Sequence, residues 1–288
     1  MNGAETLPAA PPSRLRQALR AHPAAAVAGC LLLVIAVACV VGPWLLPHGP
    51  DALDWDHFAE PPGIAHGHYL GTDSLGRDIL ARTLSGGQIS LAVGLVATLV
   101  SLVIGVTWGA VAGYVGGRVD SIMMRIVDVL YALPFMFFVI LLMVFFGRHL
   151  ILIFVAIGAI NWLDMARIVR GQTLALKQQA FIDAARIGGS SGARILLRHI
   201  VPNLLGVVAV YVTLTIPQVM LFESFLSFLG LGVQEPKTSW GSLVNEGARE
   251  MQLAPWALLA PASMLALTLF CFNFLGDGLR DALDPRDG

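Results

Sequence analysis

The sequence has 288 residues, of which 56% are hydrophobic and 13% are charged, and its mean hydropathy is +0.74. A soluble domain carries about a quarter charged residues, so this composition excludes an ordinary soluble domain and predicts a membrane protein with several spans. The net charge of −1 gives no basic surface for nucleic acid. The cysteines Cys30, Cys39 and Cys271 lie in apolar runs without a CxxC pair, which argues against a disulfide framework.

The first long apolar run predicts a transmembrane helix over residues 24–46, preceded by a polar cytoplasmic tail at residues 1–23. A run of this length crosses a hydrocarbon core of about 30 Å as a helix, and Trp44 suits the aromatic belt at its end. A cleavable signal is the alternative, but the apolar run continues past Cys30 and Cys39, where the cleavage boxes would end. We therefore expect a retained span, followed by an extracytoplasmic loop over residues 47–87.

Five further apolar segments predict a transmembrane core over residues 88–277. The predicted spans are Gln88–Gly113, Ile122–Phe146, Leu150–Met165, Leu204–Phe228 and Leu253–Leu275. Gly105, Gly109 and Gly113 recur every four residues, so we expect another helix of the same molecule to pack closely against them. A polar tail over residues 278–288 ends the chain. The prediction is an all-α membrane protein with six transmembrane helices.

The distribution of basic residues sets the expected orientation in the membrane. If the N-terminus is inside and six spans alternate, most of the 18 lysines and arginines lie inside. Those left outside are Arg77, Arg82, Arg148, Lys237 and Arg249. Because basic residues favour the cytoplasmic side, we expect both termini and the polar interval Gln178–Asn203 in the cytoplasm.

The sequence carries no recognisable motif for catalysis or nucleotide binding. The nearest approach to a phosphate-binding loop, Gly232–Thr238, lacks the glycine before its lysine and lies on the expected outer side. His66 and His68 form an HGH triplet that could contact a metal, but no third ligand is near them in sequence. We therefore expect two solvated histidines, no metal site, no cofactor in this chain and a protein that is not itself an enzyme.

Ionisable residues inside predicted spans are candidates for function because burying them in lipid is costly. Asp128 and Asp164 each lie three residues from an arginine, Arg125 and Arg167 respectively, and each pair is expected to meet on its own helix face. Glu223 has no basic residue close in sequence. It is the candidate for a gate or a pathway residue, with a structural pairing as the open alternative.

The polar interval Gln178–Asn203 begins with the pattern of a short helix that offers one face to a partner. Phe181, Ala184, Ala185 and Gly188 fall on one helix face. Most of these residues are small, so the surface of a partner can come close. From these residues alone, an amphipathic helix lying on the membrane surface is the alternative.

The second half of the interval predicts where this helix stops and where the next one begins. Gly189 interrupts the helix, because glycine is costly in a helix interior, and Ser190 or Ser191 can cap the piece that follows. Arg194 gives that piece a basic face. Pro202 marks the start of the next span, where its missing N–H does no harm.

Asp183-Ala184-Ala185, followed by Gly189 and by Pro202 thirteen residues later, resembles the EAA loop of ABC importer permeases. Asp183 stands where that pattern usually has glutamate. The similarity to permeases of the peptide and nickel transporter family continues in Leu70–Asp78, Gly113–Ser121, Ser227–Gly232 and Phe274–Pro285, and it is strongest toward oligopeptide permeases in Ile160–Lys177 and His199–Asn203. The resemblance covers residues 24–286.

This resemblance implies a type I ABC importer permease fold with a cytoplasmic coupling helix in the loop 178–203. The residues that would couple it to an ATPase are Phe181, Asp183, Ala184, Ala185, Gly188, Gly189, Arg194 and Pro202. The implied partners are a homologous second permease, two ATPase subunits that bind ATP and magnesium, and an extracytoplasmic peptide-binding protein.

The implied function is one half of the pathway that carries oligopeptides across the bacterial inner membrane. Dipeptides, nickel or another small solute are the alternative cargo. A secondary transporter that acts alone is the rival from another class, and the absence of a relay of charged residues in the spans argues against it.

Overall fold

The computed structural model describes residues 23–147 and 150–283, and within these ranges the chain is helical without a named β-strand. Its α-helices are α1 (Pro23–Leu45), α2 (Ile79–Val115), α3 (Gly117–Ala132), α4 (Phe135–Phe146), α5 (Leu150–Lys177), α6 (Ala180–Ile187), α7 (Gly192–Ile195), α8 (Val201–Phe228), α9 (Trp240–Glu250) and α10 (Pro255–Leu283). A π-helical turn, Leu196–Ile200, joins α7 to α8. The tail residues 1–22 and 284–288 and the turn at 148–149 lie outside the described residues.

Within the described residues, four helices are long and apolar enough to cross a membrane, or five if the bent pair α3 and α4 is one span. The four are α1, α2, the continuous helix Gly192–Phe228 and α10. A multi-pass helical membrane protein is therefore confirmed, while the count of six spans stays a prediction.

The predicted third span is not one continuous helix, because α3 and α4 meet at an angle of 82°. Pro134 stands between them, and Leu133 before it has an extended backbone with ψ of 134°. A residue that precedes proline is sterically kept out of the helical conformation. The sequence contained this proline, but its presence did not reveal how far the chain would turn.

Two helices extend beyond the spans expected from hydropathy. α2 begins at Ile79 rather than Gln88, because the Asp78 side chain caps it by accepting a hydrogen bond from the Ala81 N–H at 2.7 Å. α10 continues to Leu283, past the expected end of the last span at Leu275. An apolar run indicates the part of a helix that lies in lipid, whereas capping residues such as Asp78 determine where the helix begins.

The close packing of α2 against α5 forms the centre of the bundle. A Cβ atom added at Gly105 would lie 2.6 Å from the Cβ of Met165, and one at Gly113 would lie 2.8 Å from the Cβ of Thr173. Only glycine leaves room for so close an approach. The four-residue glycine repeat therefore serves packing within the molecule, as the sequence indicated.

Candidate functional site

The polar interval Gln178–Asn203 begins with α6, which is fixed to the bundle by one buried side chain. Ile182 is 0% exposed and belongs to an apolar cluster with Met165 and Val169 of α5. Burying an isoleucine side chain contributes about 1.5–3 kcal/mol. That contact is large enough to hold a helix of two turns in a defined place.

The opposite face of α6 is exposed. Phe181 is 42% exposed and Ile187 is 89% exposed, and Ala184 and Gly188 are exposed beside them. Ala185, assigned to the same face from the sequence, is half-buried against the apolar cluster that holds Ile182. The exposed face therefore combines small residues with two large apolar side chains.

Sequence reasoning missed Ile182 as the anchor and Ile187 as part of the exposed surface. The helix has only eight residues and carries apolar side chains around most of its circumference. Periodicity over so short a segment does not tell the buried face from the exposed one. The three-residue spacing of Ile182 and Ala185 was the available signal for the inward face.

Gly189 ends α6 through its left-handed backbone, with φ of +77°. The Gly189 N–H donates to the Arg186 carbonyl at 3.0 Å, and the Ser190 N–H donates to the Ala185 carbonyl at 3.0 Å. This is the Schellman arrangement of a helix C-terminus. Gly188 has an ordinary φ of −69°, so the break depends on Gly189 rather than on the glycine pair.

The second half of the interval leads directly into a long helix. Ser191 stands at the N-cap of α7, although its side chain makes no capping hydrogen bond. Arg194 is exposed. Pro202 is the second residue of α8 and follows the π-helical turn, where a widened backbone accommodates a residue without an N–H donor. The structure therefore connects this part of the interval to α8 without a loop.

Charged contacts connect the turn between α2 and α3 to the C-terminal part of α5, which leads into α6. The Lys177 Nζ donates to the Tyr114 carbonyl at 2.5 Å, and Arg170 donates to Asp120 through two nitrogens at 2.5 and 2.6 Å. A paired guanidinium–carboxylate contact of this kind fixes geometry as well as charge. A Cβ added at Gly192 would lie 3.2 Å from the Tyr114 ring. The turn, the end of α5 and the polar interval thus form one connected surface.

Asp183 lies on the exposed side of α6 and forms an ion pair with Arg186 at 3.0 Å. Both side chains are largely solvated, and an exposed pair three residues apart adds little stability. The carboxylate is therefore accessible to another molecule.

Glu223 is 0% exposed and lies in a cluster of serines where α2, α8 and the start of α9 meet. One carboxylate oxygen accepts hydrogen bonds from Ser227 at 2.7 Å and Ser239 at 2.6 Å, and the other accepts from Ser90 at 3.5 Å. Ser239 also caps α9 in a capping box with Ser242. Glu223 thus has structural partners, the alternative that the sequence analysis left open. Its role as a gate stays a prediction.

A cavity of about 710 Å³ opens between α3, α4, α5 and α8. Its polar lining comes from Tyr131, Asn161, Asp164 and Gln218, amid leucine and phenylalanine side chains. Glu223 does not line it. The mixture of apolar wall and a few polar groups is typical of a site that admits an organic solute.

The expected ion pairs within single helices are wrong. In the described residues, Arg167 of α5 donates to Asp128 of α3 at 2.8 Å, and its guanidinium lies 4.4 Å from the centre of the Tyr131 ring. Because α3 and α5 lie side by side, the arginine reaches the neighbouring helix instead of Asp164 on its own. Asp164 is left on the cavity wall.

The segment Leu70–Asp78 fastens the loop between α1 and α2 to α9. Asp73 accepts hydrogen bonds from Arg77 at 2.6 Å and from the buried Arg82 at 2.8 Å. Glu246 of α9 accepts from the same two arginines at 3.2 and 2.9 Å. The sequence marked this segment by its resemblance, but the partner in α9 lies more than 160 residues away.

The expectation of two solvated histidines holds for His66, which is 50% exposed, and is wrong for His68. His68 is 2% exposed, and the fold brings Asp54 and His57 next to it. The hydrogen bond from His57 is the main reason why the pKa of the Asp54 carboxyl falls to about 2, and the same bond raises the pKa of His57. The loop folds back on itself, and residue spacing alone did not reveal this.

The described fold is that of a multi-pass helical membrane protein with an exposed, anchored helix between two long helices. The chain matches the family described as binding-protein-dependent transport system inner membrane component over residues 105–286. Residues 13–62 match the N-terminal TM domain of oligopeptide transport permease C.

Named relatives extend this match to most of the chain. The oligopeptide transport system permease protein OppC of Escherichia coli (strain K12) is 58% identical over 267 residues, covering 92% of this chain and 88% of the relative. OppC of Haemophilus influenzae is 54% identical over 264 residues, covering 91% and 85%. The dipeptide transport system permease protein DppC of Bacillus subtilis is 47% identical over 257 residues, covering 89% and 80%.

The chain therefore belongs to the family of binding-protein-dependent transport system inner membrane components. It is a membrane permease component of an ABC transporter, which confirms the resemblance found in its motifs. A secondary transporter that acts alone is not supported by this membership.

Proposed function

We propose that this chain is the permease subunit of an ATP-driven oligopeptide importer and forms half of its translocation pathway. The support is that the two relatives named for oligopeptide transport are more than half identical to it over about nine tenths of its length. A homologous second permease supplies the other half of the pathway. An extracytoplasmic peptide-binding protein delivers the cargo.

The single observation that carries the mechanism is α6, with one face buried and the other exposed. Two ATPase subunits bind ATP and magnesium, and one of them receives the exposed face around Phe181 and Ala184, with Asp183 and Arg194 as charged contacts. When the ATPase pair closes, α6 moves. Ile182 transmits this movement to the inner end of α5.

A second route for the movement is the continuous helix Gly192–Phe228. Gly189 sets the angle between α6 and this helix, Gly188 lies beside it on the exposed face, and Pro202 lies where the helix enters the membrane. Because this helix also contributes Gln218 to the cavity wall, a displacement at its inner end changes the cavity. In this proposal both termini are cytoplasmic, six spans cross the inner membrane, and ATP and its magnesium are bound by the ATPase subunits and not by this chain.

The test is uptake by the complete transporter in proteoliposomes, with its own binding protein outside the vesicles. ATP is supplied inside the vesicles, and ATP supplied only outside is the control. We expect ATP-dependent accumulation of a labelled tetrapeptide, and no accumulation when the catalytic glutamates of the ATPase subunits are replaced. Accumulation without ATPase subunits, driven by an ion gradient, would contradict the proposal.

Dipeptide import is the second candidate, and the observation in its favour is the 47% identity to a relative named for dipeptide transport. Nickel or another small solute is a more distant form of the same alternative. In the uptake assay, transport of a labelled dipeptide or of nickel with no transport of tetrapeptide would favour this alternative over the oligopeptide assignment.

A further inference from the structure

The first outer loop, between α1 and α2, gathers histidines and carboxylates into one compact cluster. Asp54, His57 and His68 each offer a ligand atom, and the three atoms lie within 4.8 Å of one another. His68 is 2% exposed, whereas Asp54 and His57 are half-buried. The cluster is therefore open to ions on one side and closed on the other.

The distances within the cluster suit a tetrahedral metal ion. The Asp54 Oδ2 lies 2.9 Å from the His57 Nδ1 and 3.3 Å from the His68 Nε2. Zinc binds nitrogen and oxygen at about 2.0–2.2 Å, so two ligands at tetrahedral corners stand about 3.3 Å apart. The edge from Asp54 to His68 thus already has the length of such a site, and the edge from Asp54 to His57 is shorter by about 0.4 Å.

The buried histidine is oriented by a carboxylate behind it. The His68 Nδ1 lies 2.8 Å from the Asp78 Oδ2. When Nδ1 carries the proton and donates it to this carboxylate, the Nε2 lone pair points at the cluster, which is the usual arrangement behind a metal-binding histidine. The ring of His48 stacks on His68 at 4.2 Å and covers its other side.

We propose that Asp54, His57 and His68 bind one zinc ion that fastens the first outer loop to the start of α2. Two imidazoles and one carboxylate favour zinc over magnesium or calcium, which prefer oxygen ligands. Asp78 couples the ion to the membrane helix, because its other carboxylate oxygen caps α2. Glu60 and His66 lie beside the site and share His57 as a neighbour.

The direct test is zinc binding by the full-length chain in detergent, stripped with EDTA and titrated with zinc against a chromophoric chelator. We expect about one equivalent of bound zinc and no displacement by excess magnesium. His57→Ala should weaken binding by more than about 100-fold, since even an outer partner of a metal ligand is worth about 10–100-fold. His199→Ala, a histidine far along the chain, should leave the zinc affinity unchanged.

Asp78→Asn tests the support of His68 separately from the capping of α2. Asparagine caps helices about as well as aspartate, so α2 should stay intact while zinc binds about 10–100-fold more weakly. Zinc should raise the melting temperature of the unmodified chain but not that of His57→Ala.

Three results would overturn the proposal. The first is an absence of bound zinc, and the second is equal zinc affinity in His57→Ala and the unmodified chain. The third is a loss of zinc in His66→Ala comparable to that in His57→Ala, which would assign the ion to the neighbouring group of His57, Glu60 and His66.

Discussion

Gly189 is the residue whose backbone most directly sets the direction of the polar interval. Its φ of +77° is costly for residues with a side chain, and in the described residues no atom beyond its two chain neighbours stands within 4 Å of a Cβ added there. A substitution at this position therefore acts through the backbone and not through a clash. The position tests conformation separately from packing.

Gly189→Val should uncouple ATP hydrolysis from uptake while the chain still inserts and assembles. The left-handed conformation costs about 1–2 kcal/mol for such a residue, which lowers the population of the native turn by about 5–30-fold. Gly189→Asn is the matched control, because asparagine visits this conformation readily. Equal uptake by the Val and Asn variants would show that the turn does not matter.

Glu223 can be tested as a gate against its role as a structural partner of the serines. Glu223→Gln keeps an oxygen that accepts from Ser227 and Ser239, so we expect normal assembly and normal uptake. Glu223→Ala removes the acceptor that Ser227 and Ser239 share and should lower stability by about 1–3 kcal/mol, measured by thermal unfolding. If the Gln variant assembles normally but loses uptake, the gate is supported instead.

At the scale of elements, α6 shows how one short helix serves two surfaces. Its buried face is held by an apolar cluster that includes residues of α2, α5 and α8. Its other face holds Phe181 and Ile187 in the open. One isoleucine of this helix, Ile182, is therefore buried against the bundle, and the other, Ile187, is exposed.

Ile182→Ala should loosen α6 on the bundle, because removing a buried isoleucine side chain to alanine costs about 2–5 kcal/mol. Hydrogen exchange of the α6 amides should then accelerate. Ile187→Ala is the matched variant and should leave exchange and stability unchanged, within about 0.5 kcal/mol, while it weakens association with the ATPase subunit. Similar exchange in both variants would contradict the assignment of the two faces.

The contact between α2 and α5 makes a second prediction about elements. A Cβ at Gly109 would lie 2.9 Å from both the backbone nitrogen of Arg170 and the Cβ of Val169. Gly109→Ala should therefore cost about 1–3 kcal/mol through overpacking and lower the melting temperature in detergent. Gly171→Ala is the control in α5, where nothing stands within 4 Å, and it should melt at or above the temperature of the unmodified chain.

At the scale of the whole molecule, local features were predictable and distant pairings were not. Composition predicted a helical membrane protein, and the glycine repeat in α2 predicted its close packing. The pairing of Arg167 with Asp128 joins residues 39 positions apart, and the Arg77–Glu246 pairing joins residues 169 positions apart. No periodicity spans such distances, so sequence reasoning chose the nearest partner in the chain and was wrong about Arg167.

The same limit applies to the candidate site. The order Asp183-Ala184-Ala185, Gly189 and Pro202 located the polar interval and its breaks from sequence. Which side of α6 is buried depends on Ile182 joining an apolar cluster whose members come from α2, α5 and α8, and only the assembled bundle determines it. The cluster of Asp54, His57 and His68 was missed for a similar reason, since His68 lies eleven positions beyond His57 in a loop that folds back on itself.

Docking of α6 on an ATPase subunit is the central claim, and site-directed crosslinking tests it most directly. In the assembled transporter, with the native cysteines replaced, a cysteine at Ala184 should crosslink to a cysteine in the ATPase subunit, and ATP should change the yield. A cysteine at the buried Ile182 should not crosslink. Failure at Ala184, Phe181 and Ile187 alike, in a complex that still hydrolyses ATP, would contradict the account and favour a helix that rests on the membrane surface.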